Sequence, residues 1–209
     1  MILLLAVAAG SIFGLARFRI KRADYPLPDL NFSWLVVLAV IPQLLAFHIQ
    51  ATAIRIPDPA ASLILITSQV CLLLFCWANR ERSGFWALGL GLLLNLIVIS
   101  INGGWMPISL ETIQALYPAF PVESLPLGGR PGYSKNILLL AGEIKLEPLA
   151  DRLLLPDWVL WRRAVSLGDV VIAWGCFWLL GDPDQTLIHR MFPFWIKFKN
   201  RLLPSKEEG

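Results

Sequence analysis

The stretches AASLILITSQVCLLLFCWA (Ala60–Ala78) and FWALGLGLLLNLIVISI (Phe85–Ile101) decide the fold. Neither contains Asp, Glu, Lys or Arg, and each approaches the roughly twenty apolar residues that a helix needs to cross a bilayer. The turn between them, Asn79–Gly84, carries Arg80 and Arg82, so the two read as consecutive spans joined on one side of a membrane. Three more apolar segments lie outward from this pair, at Met1–Ala16, Trp34–Ile54 and Ala164–Leu180. The expected architecture is therefore an all-α membrane protein. It is a bundle of about five transmembrane helices over residues 1–181, with one long outer loop, residues 102–163, that contains interfacial helix. Residues 182–209 are expected to form a basic, amphipathic cytoplasmic tail.

Composition supports that class. Hydrophobic residues make up 56% of the chain and charged residues only 16%, against about 25% charged in a soluble domain, and the mean hydropathy is +0.64. A net charge of +3 is too small to suggest a nucleic-acid partner. The nine Trp include Trp34, Trp86, Trp105, Trp158 and Trp161 near segment ends, where an amphipathic ring favours the headgroup layer. Cys71, Cys76 and Cys176 all fall inside apolar segments and read as small apolar fillers. No metal or nucleotide motif lies between the segments, so neither a metal nor a cofactor is expected.

The distribution of Lys and Arg sets the orientation. Arg17, Arg19, Lys21 and Arg22 follow the first segment, which has no positive residue before it; this order suits a retained helix with its N-terminus outside. With Arg80 and Arg82 and the basic tail, the positive-inside rule places the C-terminus in the cytoplasm and the long loop outside. Leu187–Leu203 interleaves Phe192, Phe194, Trp195 and Phe198 with Arg190, Lys197, Lys199 and Arg201, the pattern of an anchor on anionic lipid. In the outer loop, Pro118, Pro121, Pro126, Gly128, Gly129, Pro131 and Gly132 make a turn-rich stretch. Lys135–Leu155 is expected to be a helix or two on the outer interface.

Polar residues inside apolar segments identify candidate sites, because they are retained against their cost. Asp169, several residues into the last segment, is the clearest. It could pair with Arg162 or Arg163 to fix packing, or carry a ligand or chemistry. Asn95 and the turn Asn102-Gly103-Gly104-Trp105-Met106-Pro107 form a second cluster at the outer end of the fourth segment. That turn could be a plain helix cap or a backbone-lined nook. Gln43 and Gln50 on the second segment are expected to bond a neighbouring helix, and His48 reads as a structural, hydrogen-bonded residue.

The motif Asn102-Gly-Gly-Trp-Met-Pro107, followed by Ser166-Leu-Gly-Asp169, resembles an uncharacterised family of small bacterial multi-pass membrane proteins. That family has N-G-G-x-M-P and S-x-G-D motifs and a domain of unknown function. The resemblance implies a bacterial inner-membrane protein and no known activity. In that family the loop ends in Leu-Gly-Asp, where this chain has Leu149-Ala-Asp151. A weaker likeness is to lipoprotein signal peptidase, the membrane aspartyl protease. Ser166-Leu-Gly-Asp169 resembles the start of its last helix, and Asn95-Leu-Ile matches the end of the preceding one until Val98 replaces an aspartate. The likeness implies a catalytic pair of Asp169 and Asp151 sharing a proton.

Two functional expectations follow. The first is a non-enzymatic binding or scaffold subunit with an outer-leaflet polar pocket drawn from Asn102, Gly103, Gly104, Met106, Arg162 and Arg163, with membrane lipids or another membrane protein as partner. The alternative is an aspartyl hydrolase using Asp151 and Asp169.

Overall fold

The computed structural model describes residues 2–25, 29–121, 125–156, 159 and 162–183. The tail segment Leu187–Leu203 with His189, together with Trp158 and Trp161, lies outside the described residues. The architecture is helical: α1 (Ile2–Ile20), α2 (Trp34–Phe47), α3 (Gln50–Ala53), α4 (Asp58–Ala78), α5 (Gly84–Ile101), α6 (Leu110–Leu116) and α7 (Leu167–Gly181). By length and composition α1, α4 and α5 can each cross a membrane, while α2 and α7 are shorter apolar helices. At about 1.5 Å per residue the 15 residues of α7 span about 22 Å, well short of a hydrocarbon layer about 30 Å thick.

Neighbours in space follow the order α1, α7, α5, α4, α2. The α5–α7 seam, like the α1–α7 seam, is a close backbone approach. A side chain on Gly91 would place its Cβ 2.6 Å from the carbonyl oxygen of Gly168, and one on Gly175 would meet the Leu88 nitrogen at 2.8 Å. Without a hydrophobic drive between helices in lipid, such small residues allow the backbone approach that gives packing and weak polar contacts. Phe75, Phe85, Leu88 and Leu92 form a core where α5 meets α4, with Ile172, Cys176 and Leu179 of α7 packed against it, and Phe75 meets Phe85 edge-on at 5.4 Å.

The second apolar segment differs from its sequence reading. It breaks at His48 and Ile49 into the 14-residue α2 and the short α3. Thr52 Oγ1 donates back to the Leu45 and Ile49 carbonyls across that break. His48 is the C-cap of α2, exposed on the surface of the helices.

The long loop departs more sharply. Its α-helix is α6, whose N-cap Ser109 accepts from Thr112 N at 3.1 Å. Lys135–Leu155 is not a helix or two: it gives two short strands and two single 3-10 turns, Ala141–Glu143 and Glu147–Leu149. Charges at Glu143, Lys145 and Glu147 and the helix-breaking Pro148 leave no continuous apolar face there. Instead β1 (Met106–Ser109) pairs in parallel with β2 (Asn136–Leu139), Met106 opposite Asn136, and β3 (Leu153–Leu154) pairs antiparallel with β4 (Ala164–Val165). Ile108, Ile113, Leu116 and Leu138 close a small core beneath this cap.

A candidate polar site where the loop meets two helices

The Gly91–Gly168 contact brings Asn95, one turn further along α5, against the start of α7. Ser166 Oγ donates to Asn95 Oδ1 at 2.8 Å, and Asn95 Nδ2 donates to Asp169 Oδ1 at 2.8 Å. Ser166 is also the N-cap of α7: its Oγ accepts from Asp169 N at 2.9 Å, while Asp169 Oδ2 accepts from Ser166 N at 3.5 Å. This reciprocal cap satisfies two N–H groups that a helix start leaves open. It also explains why an acid is tolerated here. Asp169 stands in the first turn, where the helix dipole favours negative charge; it does not lie deeper along the helix as the sequence reading placed it, because α7 begins at Leu167.

The loop supplies the other half. Lys135 precedes β2, and its carbonyl accepts from Met106 N at 3.2 Å, so the parallel strand pair fixes its position above α5. Arg130 holds the approach to it. Its guanidinium lies 4.4 Å over Trp105, pairs with Asp58 at 2.7 Å and donates to the Tyr133 and Ser134 carbonyls. From that position Lys135 Nζ reaches Asp151 Oδ2 at 3.3 Å and Asp169 Oδ2 at 3.7 Å. Asn136 Nδ2 donates to Asp151 Oδ2 at 2.8 Å, and Asp151 N donates to the Pro107 carbonyl at 3.1 Å. One ammonium therefore bridges two carboxylates held by different elements.

Asp151 is 3% exposed, and its Oδ1 is buried with no hydrogen-bond partner. Burial pushes its carboxyl above the ordinary aspartate range; the Lys135 ammonium opposes this, and the nearby Asp169 charge adds to it. Burial alone would lower the Lys135 ammonium, but the Asp151 and Asp169 carboxylates outweigh it and hold Lys135 above the ordinary lysine range.

A cavity of about 510 Å³ opens beside Lys135 and Asp151. Its wall is apolar, with Ile108, Ile113, Leu116 and Phe120, and its polar groups include Lys135, Asn136, Asp151, Arg162 and Arg163. The volume lies within the roughly 300–1,000 Å³ of small-molecule sites, and apolar walls with a few placed polar groups are typical of them. Asp151 also borders a smaller cavity of about 350 Å³ with Ser109, Glu111, Glu147 and Arg152.

The structure brings Asp151 and Asp169 together through Lys135 and places Arg162 and Arg163 on the cavity. It does not pair Asp169 with either arginine: among the described residues its ion pair is with Lys135. The reason is local, since Ala164–Val165 pair with β3 before the helix starts and leave both arginines exposed. Asn102, Gly103, Gly104 and Met106 are elsewhere. Asn102 caps α5 and clamps the Lys145 peptide, accepting from Lys145 N at 3.0 Å and donating to its carbonyl at 2.9 Å. Gly103 takes φ +74° and Gly104 N donates to the Ile99 carbonyl at 2.9 Å, the left-handed cap that glycine allows. Met106 is fully buried with Val98, Ile99 and Trp105.

Lys135, Asn136 and Ser166 are site residues that the sequence reading did not select. For Ser166 a signal existed, since Ser-x-x-Asp before an apolar run is the spacing of a capping box. Nothing local in the sequence marks Lys135.

Apolar helices of spanning length, capped on one side by a folded loop around a buried ion cluster, define a helical membrane protein. The chain belongs to the Family of unknown function (DUF5317), whose sequence model matches residues 28–181. No curated protein and no solved structure matches it.

Proposed function

We propose that this chain is a multi-pass membrane protein that binds an amphiphilic ligand in its loop-capped cavity and performs no chemistry on it. The observation that carries this reading is the Asp151 carboxylate, buried in the wall of an apolar cavity with one oxygen unpartnered. A buried polar atom without a partner costs about 1–3 kcal/mol, and a ligand group at that atom would recover it.

The hydrolase alternative needs two carboxylates that share a proton and activate water. Here the Lys135 ammonium lies at 3.3 and 3.7 Å from the two aspartates and occupies the place of that proton. A cation between them separates the two carboxyls, so they do not share a proton directly.

The cavity side is the outer side in this reading. The basic end of α1, the Arg80–Arg82 turn and the end of α7 lead to the cytoplasm, with residues 182–209 as a basic tail there. The membrane is the bacterial inner membrane, and a second membrane protein is a further partner class.

The test is native mass spectrometry of the full chain released from lipid nanodiscs. Wild type should carry one small molecule per chain, and Ala164→Trp, which fills the cavity from its half-buried wall, should carry none. Hydrolysis of a membrane-peptide substrate by wild type, abolished by both Asp151→Asn and Asp169→Asn, would overturn the reading.

A further inference from the structure

We infer that the β3–β4 pair of the loop is set into the leaflet on the loop side of the membrane, with Leu153 and Leu154 against lipid. Its partner is the boundary between headgroups and acyl chains in that leaflet. This rests on the reading of α5 as a membrane span and is independent of what the cavity binds.

The first observation is depth along α5. Its 18 residues rise about 27 Å, close to the hydrocarbon thickness of about 30 Å, and Arg80 and Arg82 lie just before it. Ile101 therefore stands near the boundary on the loop side. The 21 residues of α4 rise about 31 Å. Ala61 and Leu65, near its start, pack with Val98 and Ile99, so both spans put that boundary at one level. The start of α7 lies below it. A side chain on Gly168 would meet Asn95 Oδ1 and the Gly91 carbonyl, and Ser166 Oγ donates to Asn95. At about 1.5 Å per residue, Asn95 lies about 9 Å short of Ile101.

The strand pair hangs from that low start. β4 directly precedes Ser166, and an extended chain gains at most about 3.4 Å per residue. Val165 and Ala164 thus stay below the end of α5 whichever way the strand points. Leu153 and Leu154 are paired opposite them, one strand spacing of about 5 Å away. Non-helical backbone is tolerated at such a depth where it is paired or borders a cavity. Here Leu155 N donates to the Arg163 carbonyl at 3.0 Å, and Ala164 lines the cavity.

The second observation is the surface itself. Leu153 and Leu154 are 37% and 47% exposed, and along the chain the exposed apolar face continues into α7 at Leu167, Val170 and Trp174. Water would leave that face uncovered, whereas the lipid already beside α7 covers both parts of it. Arg152 and Arg163, exposed beside the pair, have side chains long enough to keep their charge at the headgroups.

The experiment is spin-label accessibility on the full chain in nanodiscs, with Cys71, Cys76 and Cys176 replaced by Ala. Labels are placed singly through Leu153→Cys, Leu154→Cys, Ile97→Cys on the exposed face of α5, and Arg55→Cys in the exposed turn before α4. Collision with oxygen, which concentrates in lipid, is compared with collision with a water-soluble nickel chelate. Leu153→Cys and Leu154→Cys are expected to approach Ile97→Cys and to exceed Arg55→Cys several-fold in the oxygen-to-nickel ratio. Wild type supplies a second measurement if the cysteine-free protein fails to fold. A phosphatidylcholine carrying a diazirine on its acyl chain should photolabel residues 153–155, mapped by mass spectrometry.

A ratio at both leucines like that of Arg55→Cys, with Ile97→Cys in lipid, overturns the inference, because the strand pair then stands in water. Collision with neither reagent also overturns it, because protein then covers the pair. Both outcomes leave the binding reading standing. If nickel reaches Ile97→Cys as readily as Arg55→Cys, the membrane reading of the fold falls with the inference.

Discussion

The two ends of α7 each hold a buried carboxylate beside a cation, and they solve the problem differently. At one end Asp182 pairs with Arg17 of α1, with side chains 1% and 12% exposed. Arg17 reaches the adjacent Gly181 carbonyl as well, and Tyr25 Oη donates to the Leu180 carbonyl at 2.7 Å. At the other end two carboxylates share one ammonium, the lysine is 36% exposed, and one carboxylate oxygen is unpartnered. The first arrangement joins helices and leaves a ligand nothing to do. The second has unused hydrogen-bonding capacity at a cavity, which is the physical difference between a staple and a site.

Breaking the staple should have the largest effect. Arg17→Met removes the cation paired with the buried Asp182 carboxylate among the described residues, and removing one partner of a buried pair costs about 3–5 kcal/mol. Thermal unfolding in detergent should show the loss, and Arg17→Met with Asp182→Leu should recover most of it, because the double variant replaces both members of this buried pair by apolar groups. If the double variant is no better than the single one, the pair is not the source of the cost.

Lys135→Met tests the other end. It strands two carboxylates, but partial exposure of Lys135 lets water take up part of the charge, so the loss should be smaller, about 3 kcal/mol or less. Adding Asp151→Asn should restore part of it. The rescue distinguishes a shared cation from two independent contacts, for which the second substitution would only add damage.

The wild-type pH profile sharpens the same contrast without removing the cation. A carboxyl whose folded pKa is raised binds more protons in the native state, so its contribution falls as pH rises from the ordinary 3.8 to the raised value and is flat above it. Wild type should therefore lose stability relative to Asp151→Asn across that interval. Lys135 acts at the opposite limit: with its folded pKa raised, its stabilisation is complete below the ordinary 10.5 and is lost as pH rises through the folded value. Wild type and Lys135→Met should converge only above that point. Thermal midpoints measured across pH check both, and an Asp151 effect of opposite sign would remove the desolvation argument.

How much of this was legible in the sequence follows from the range of the signals. Apolar runs are local, so α4 and α5 are visible to within a residue or two of their ends. Asp169 is visible because one acid in an apolar run stands out. The end of α2 at Phe47 and the start of α7 at Leu167 are less so, because hydrophobicity continues across both breaks. Lys135 is invisible because only the four-residue β1–β2 pairing carries it to Asp169, 34 positions away. So short a strand pair has too few alternations to read, and its register is set by Met106 buried among Val98 and Ile99. The Asn102–Pro107 turn attracted attention as a possible nook, and its chemistry is used up in capping α5 and holding the loop. That is itself what places β1, and through it the lysine.

The smallest predicted effect separates a cap from a network. Ser109 and Ser166 are both N-caps whose hydroxyl accepts an N–H from the first turn, at 3.1 and 2.9 Å. Ser109→Ala should cost about 1 kcal/mol, the usual value for such a cap. Ser166→Ala loses the same bond and also strips Asn95 Oδ1 of its donor, in a contact that is fully buried. An orphaned buried acceptor adds about 1–3 kcal/mol, so Ser166→Ala should cost about 2–4 kcal/mol in all. The excess of one cap over the other therefore measures what the bond to α5 contributes at the site end of α7. Equal losses for the two variants would mean that Asn95 finds another partner and that Ser166 is a cap and nothing more. A clear excess would mean that the start of α7, Asn95 and Asp169 are one polar unit, held ready before any ligand reaches Asp151.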